Sequence, residues 1–143
     1  MTVKAILARK GADVATIEPN ATLSTAVLML AKRKIGALVV TGADRRVVGI
    51  ISERDIVRTL AENGSQALER AIAEVMTRKV VTCSEGDTVA ALMERMTEGK
   101  FRHVPVVEQS RLVGIVSIGD VVRLRVEEME HDTAALQEYI RTA

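Results

Sequence analysis

Val48-Gly49-Ile50-Ile51-Ser52-Glu53-Arg54-Asp55-Ile56-Val57-Arg58 returns, 65 positions later, as Val113-Gly114-Ile115-Val116-Ser117-Ile118-Gly119-Asp120-Val121-Val122-Arg123. A fixed offset between two such stretches makes the chain two copies of one unit, and a repeat decides architecture before any single residue does. Each copy keeps a glycine, two aliphatics, a serine, two free positions and an aspartate. The aliphatic run reads as a strand, the serine as the cap of a following helix, and the aspartate as the second half of a capping box. Such a corner brings a hydroxyl, helix N-terminal N–H groups and a carboxylate to one place.

Working outward, the same β-α-β-β-α order appears twice. In the first copy Val14-Ala15-Thr16-Ile17 predicts a short strand and Glu18-Pro19-Asn20 a turn. Thr22 predicts an N-cap, since its hydroxyl can accept from the first free helix amides. The helix to about Lys34 aligns Leu23, Ala26, Val27, Leu30 and Ala31 on one face, and Gly36 is expected to end it. Ala37 to Thr41 is a buried strand whose hairpin partner, Val47 to Ile51, follows the turn Gly42-Ala43-Asp44-Arg45. In the second copy Val80-Val81-Thr82-Cys83 predicts the first strand and Ser84-Glu85-Gly86-Asp87 the turn. A helix from Thr88 to about Glu98 turns Val89, Leu92, Met93 and Met96 inward. The hairpin is Arg102 to Val107 with Arg111 to Val116, and its loop is one residue shorter, because Ile35–Val40 matches Phe101–Val106 at an offset of 66.

Five segments result: a helical lead-in over 1–13, repeat 1 over 14–64, a linking helix within 65–79, repeat 2 over 80–124, and a C-terminal helix over 125–143. The linking helix is placed at Ser65 to Met76, and the last helix runs towards Tyr139-Ile140 with room for a break near His131-Asp132. Either half alone is about 60 residues, a size at which a core is marginal. The expected fold is therefore α+β: two repeats related by a pseudo-two-fold axis, sheets packed against each other, helices flanking at both ends. Two equivalent clefts then lie between the halves.

Composition excludes several function classes. Twenty Lys and Arg stand against nineteen Asp and Glu, a net charge of +1, so no whole-molecule field favours nucleic acid or an anionic membrane. Phe101 and Tyr139 are the only aromatics, too few to stack single-stranded bases. One cysteine, Cys83, precludes an internal disulfide and suits a reducing compartment. No apolar run approaches the roughly 20 residues of a membrane span and no signal peptide is seen, so a cytoplasmic location is expected. Cys83, His103 and His131 lack metal-ligand spacing, and a buried structural cysteine is the expected reading. Met29, Met76, Met93, Met96 and Met129 read mostly as packing, and Glu127, Glu128 and Glu130 as a solvated face.

From Val14 to Arg123 the chain resembles a stand-alone tandem pair of cystathionine-β-synthase (CBS) domains, a Bateman module. The resemblance rests on Gly-x-x-Ser-x-x-Asp in both copies and on Arg102-His103-Val104-Pro105-Val106 in the second. It implies a non-catalytic regulatory module that binds AMP, ADP, ATP or NAD(H), with S-adenosylmethionine a lesser candidate, as an energy or redox sensor in signal transduction. It also implies a homodimer and a regulated partner protein. By the resemblance Asp55 and Asp120 accept from ribose hydroxyls, and Ser52 and Ser117 meet ribose or phosphate. Aliphatic side chains and backbone of the other repeat face the adenine. Asp55, with Ile50 beside it, is thus expected to work with Thr82, Cys83, Arg102, His103 and Pro105. Asp120, with Ile115 beside it, is expected to work with Thr16, Ile17, Gly36, Ala37 and Leu38.

The two sites differ. Glu53-Arg54 fills the free positions of the first motif and Ile118-Gly119 those of the second, and Gly36 stands where the other site has Arg102. Arg54, Arg102 and His103 make the Asp55 cleft the expected phosphate site. The Asp120 cleft is expected to be empty or to take a less charged portion of a ligand, such as a nucleoside or nicotinamide end. Taken alone, Ser52 and Ser117 could be N-caps only, and both roles can coexist. An enzyme is the alternative class, but the chain has no carboxylate pair or activated nucleophile, and no Gly-x-Gly-x-x-Gly. A nucleic-acid binder is disfavoured by charge and by the scarcity of rings.

Overall fold

The structure, a computed structural model, describes residues 1–142. Helix α1 (Val3–Lys10) leads into β1 (Thr16–Ile17), α2 (Leu23–Arg33), the hairpin β2 (Ala37–Thr41) and β3 (Val47–Ser52), and α3 (Glu53–Asn63). A one-turn helix α4 (Ile72–Val75) precedes α5 (Val89–Gly99), the hairpin β4 (His103–Glu108) and β5 (Arg111–Ser117), and α6 (Ile118–Thr142). In the first sheet β1 runs parallel to β2, and β2 pairs antiparallel with β3. In the second, β4 and β5 pair antiparallel and Cys83 makes one parallel bridge to Val106.

Several expectations change. Val80 to Cys83 forms no strand: only the Cys83 amide donates to the Pro105 carbonyl (3.0 Å), and the Val107 amide returns to Cys83 (2.8 Å). Ser65 to Met76 is not one helix. A 3₁₀ stretch over Gly64–Glu69 and the four residues of α4 replace it, with Arg70 and Ala71 extended between them. Gly36 does not end α2; Lys34 does, at φ 57°, and Lys100 ends α5 the same way at φ 58°. α6 has no break at His131-Asp132 and runs as a single 25-residue helix; its final neighbour, residue 143, lies outside the described residues. Met129 is exposed rather than packed, while Glu127 pairs with Arg9 and Glu128 pairs with the N-terminal amine and Arg125.

Each repeat buries its helix-facing surface only with a segment from outside its hairpin. The first core joins Ile17, Leu23, Leu38, Val40 and Ile51 to Ala67, Ile72, Val75 and Met76. The second joins Val89, Leu92, Val104, Val106 and Val116 to Val3, Ile6 and Leu7 from α1. The two attachments match bond for bond. Ile72 and Ala73 amides donate to Ala21 and Pro19, and Val3 and Lys4 amides donate to Asp87 and Glu85. Leu23 donates to Arg70 as Val89 donates to Met1. The repeat is therefore longer than its motif: Ile6-Leu7-Ala8-Arg9-Lys10 corresponds to Val75-Met76-Thr77-Arg78-Lys79 at an offset of 69.

This attachment explains the glycine that opens each motif. A Cβ on Gly49 would stand 2.9 Å from Met76 Cγ and 3.0 Å from the Thr77 carbonyl, and one on Gly114 would stand 2.7 Å from Leu7 Cδ2. Strand alternation then turns Leu38 and Val40 to the helices, and leaves Ala37 and Val39 on the opposite face, where the sheets meet. Gly49→Ala is expected to destabilise the protein by about 1–3 kcal/mol, as overpacking does. In a Met76→Ala background the same change should lower the urea midpoint by less, since the clashing side chain is gone.

Candidate functional site

Asp55 sits in the first turn of α3, buried, because Ser52 caps that helix from the end of β3. The Asp55 amide donates to Ser52 Oγ (3.3 Å), while the Ser52 amide and hydroxyl both donate to Asp55 Oδ2 (3.0 Å each). Arg58 Nη2 donates to Oδ1 at 2.9 Å, and the Thr77 hydroxyl reaches both oxygens at 3.3 and 3.4 Å. Thr77 is held there by backbone pairing with Ile50, whose N–H and C=O it meets at 3.0 and 2.9 Å. The carboxylate faces a cleft of about 410 Å³, within the range of small-ligand sites.

The walls of that cleft carry Gly36, Ile50, Ser52, Glu53, Arg54 and Arg58 from the first repeat, and Lys100, Phe101, Arg102 and His103 from the second. Of the residues singled out from sequence, Ile50, Ser52, Arg54, Asp55, Arg102 and His103 are thus brought together. Thr82, Cys83 and Pro105 do not line it. Cys83 and Pro105 are buried in strand contacts behind the cleft, and burial pushes the Cys83 thiol up to about 12, so it stays protonated. Thr77, Arg58, Lys100 and Phe101 were missed. Lys100 and Phe101 directly precede the Arg102-His103 pair, and Thr77 was hidden in what read as a linker.

Asp120 occupies the equivalent corner of the second repeat, where the Ser117 amide donates to Oδ2 (2.9 Å) and the Asp120 amide to Ser117 Oγ (3.2 Å). Its partner is different. Lys10 Nζ, from the end of α1, donates to the same Oδ2 at 2.8 Å and to the Ile115 carbonyl at 3.0 Å. The Ile50 carbonyl, the counterpart of Ile115, accepts instead from the Thr77 amide. Burial opposes ionisation of Asp120, but the bonds from Lys10 and Ser117 outweigh it and hold its carboxyl below the ordinary 3.8. The adjoining cleft, of about 590 Å³, is lined by Gly36, Ala37, Ile115 and Ser117 as expected, together with Val14, Ala15 and the cations Lys10, Arg33 and Lys34. Asp120, Thr16, Ile17 and Leu38 do not line it. Ile17 and Leu38 alternate into the first core, and the segment just before β1 forms the wall in their place.

His103 and Gly36 border both clefts; a Cβ on Gly36 would lie 3.4 Å from the imidazole. Burial first, and the nearby Lys10 ammonium second, push His103 below its usual range, so the ring is neutral at neutral pH. Among the described residues no three His, Cys, Asp or Glu side chains gather in a metal-binding cluster, and no helix is long and apolar enough to cross a membrane.

With this geometry in hand, comparison with known proteins identifies the class. The CBS-domain family model matches residues 3–62 and 72–127, and the chain belongs to the CBS-domain proteins as a tandem pair. A CBS-domain protein, ATU1752 from Agrobacterium tumefaciens, shares 49% identity at a TM-score of 0.83, over 87% of this chain and 92% of that one. The CBS domain pair of protein MJ0100, solved with 5′-methylthioadenosine and S-adenosyl-L-methionine, is 31% identical at a TM-score of 0.76, over 90% and 98%. The mitochondrial CBS domain-containing protein CBSX3 of Arabidopsis thaliana is 35% identical over 124 residues; the match takes in 84% of this chain and 60% of that relative's length.

The Lys10–Asp120 pair has a pH signature. An acid whose folded pKa is depressed contributes stability above its unfolded pKa and loses it as pH falls through the folded value. Lys10→Met should therefore lower the urea midpoint at neutral pH, and the gap to the parent should close as pH is taken below 3.8. A gap that stays constant over that range would remove the pair from the stability of the fold.

Proposed function

We propose that the chain is a non-catalytic regulatory module that binds an adenosyl ligand, an adenine nucleotide or NAD(H), in the cleft at Asp55. The observation that carries this reading is one cleft combining a buried carboxylate with four cations, Arg54, Arg58, Lys100 and Arg102. A carboxylate accepts from two vicinal hydroxyls, and guanidinium groups match phosphate oxygens. Arg58, itself half-exposed, occupies Oδ1 as a removable partner. Ribose hydroxyls would take its place, freeing the guanidinium for phosphate. The adenosyl ligands of the MJ0100 pair support the ligand class.

Beside the second cleft Lys10 holds Asp120 out of its lining, so a sugar reaches that carboxylate only after the ion pair breaks. This favours one strong site per chain. A dinucleotide is the second reading, favoured by the border the two clefts share at Gly36 and His103. The output is then a shift between states of a cytoplasmic homodimer or of a regulated partner protein, limited by the ligand's differential affinity for them.

Titration calorimetry with AMP, ADP, ATP, NADH and S-adenosylmethionine tests the reading. Loss of a charge-assisted bond, about 1.5–3 kcal/mol, predicts that Asp55→Ala weakens the best ligand by roughly 10- to 100-fold. Arg54→Glu, which leaves the capping box intact, should weaken phosphate-bearing ligands and spare S-adenosylmethionine. Lys10→Ala should raise the stoichiometry above the one equivalent expected of the parent chain. Failure of every purine compound to bind would leave only the fold.

A further inference from the structure

Helix α6 outlasts the body it grows from. Val121 and Leu124 are buried against the second core, yet every described residue from Met129 onward is exposed. A lone helical stretch of that length is marginal in water, below or near the roughly 12–15 residues needed even by strong helix formers.

The sequence of α6 says what would cover it. Val122, Val126, Met129, Thr133, Leu136 and Ile140 follow one another at steps of four, three, four, three and four. At 3.6 residues per turn they fall in a stripe about 80° wide, turned about 130° from the Val121–Leu124 face that meets the body. The five apolar members are 43–66% exposed. Alternating steps of four and three are the heptad seam of a coiled coil, with Val126, Thr133 and Ile140 at a and Val122, Met129 and Leu136 at d. Every a position is β-branched and two of the three d positions are Met and Leu, a distribution that favours two parallel strands.

Charge selects the same arrangement. In parallel register Arg125, at g, faces the partner subunit's Glu130, at e, once on each side of the two-fold axis. Antiparallel pairing that overlaps the whole stripe would instead set Glu130 near its own copy and Asp132 near its own copy, two like-charge contacts. From Met129 onward the seam stands clear of the body, and only Val122 and Val126, 43% and 46% exposed, lie beside it.

We propose that this stripe docks a second copy of the chain, as a parallel two-stranded coiled coil of the C-terminal helices. The proposal is independent of the ligand reading. Sedimentation or light scattering of the full chain should give a mass near twice 15.5 kDa. Leu136→Glu with Ile140→Glu should return it to 15.5 kDa. These side chains stand on solvent and line neither cleft, so the body should stay folded and still bind its ligand, and helical circular dichroism should fall by no more than the released end of α6 accounts for. Thr133→Ile, which replaces the one polar a residue, should hold the dimer to lower concentration. Thr133→Cys should oxidise to a covalent dimer, since parallel strands set position 133 beside its own copy and Cys83 is buried. A monomeric parent chain, or a double-glutamate variant still at dimer mass, would overturn the seam. Absence of the Thr133→Cys cross-link would overturn the parallel register.

Discussion

The contact on which this fold depends is the crossing of a foreign segment over a side-chain-free point on a strand: Met76 over Gly49, and Leu7 over Gly114. A β-α-β-β-α unit of about 60 residues cannot enclose its own helix-facing surface. α4 and the turn before it close the first unit, and α1 closes the second, each anchored by the same three kinds of backbone bond. Without those crossings Leu23 and Ile51 on one side, and Leu92 and Val116 on the other, would face water. The pseudo-two-fold axis is thus a consequence of how two incomplete cores are completed.

The asymmetry of the clefts follows from how each segment leaves its crossing. α4 ends at Val75 and Met76 is already extended, so Thr77, a β-branched residue suited to extended backbone, pairs with Ile50. That puts its hydroxyl on Asp55. Ala8, at the matching place, keeps α1 helical for two further residues, until Gly11 caps it at φ 90°. The extra turn delivers Lys10, whose ammonium reaches the Ile115 carbonyl, the counterpart of the one Thr77 reaches by its amide. The different points at which the two segments leave their helices thereby exchange a neutral hydroxyl for a cation at the aspartate. Both aspartates remain capping residues; they differ in what stands opposite.

Much of this was legible in the sequence. The two motifs, the capping boxes and the hairpins are local, written in short-range pattern and turn chemistry, and the structure keeps them. Ile50, Ser52, Arg54 and Asp55 meet Arg102 and His103 because both groups sit at equivalent strand ends, which the offset reveals. What failed was non-local. Cys83, Ile17 and Leu38 point into cores, while Pro105, between the core residues Val104 and Val106, is buried on the other face of its strand; pattern alone does not say which face of a two-residue strand a cleft will use. Lys10 and Thr77 lay in stretches read as lead-in and linker, although the pairing of Ile6-Leu7-Ala8-Arg9-Lys10 with Val75-Met76-Thr77-Arg78-Lys79 was there to be found.

α6 joins the corner held by Lys10 to the exposed seam. It starts at Ser117 and Asp120, the corner held by Lys10, and it carries Val121 and Leu124 into the second core before leaving the body. Arg9 also pairs with Glu127, and the N-terminal amine with Glu128, so the N-terminal segment is tied to α6 by three ion pairs. Any occupant that displaces Lys10 from Asp120 therefore acts first on the α1–α6 contact and only then on the cores. α6 is continuous from its cap to the seam, which begins at Val122, so such a change meets the second subunit within one helix. On the proposed reading, the ion pair at Lys10 sets how far cleft chemistry is felt by a second subunit, which is a more economical coupling than any path through the strand cores, whose close packing leaves little room for a second arrangement.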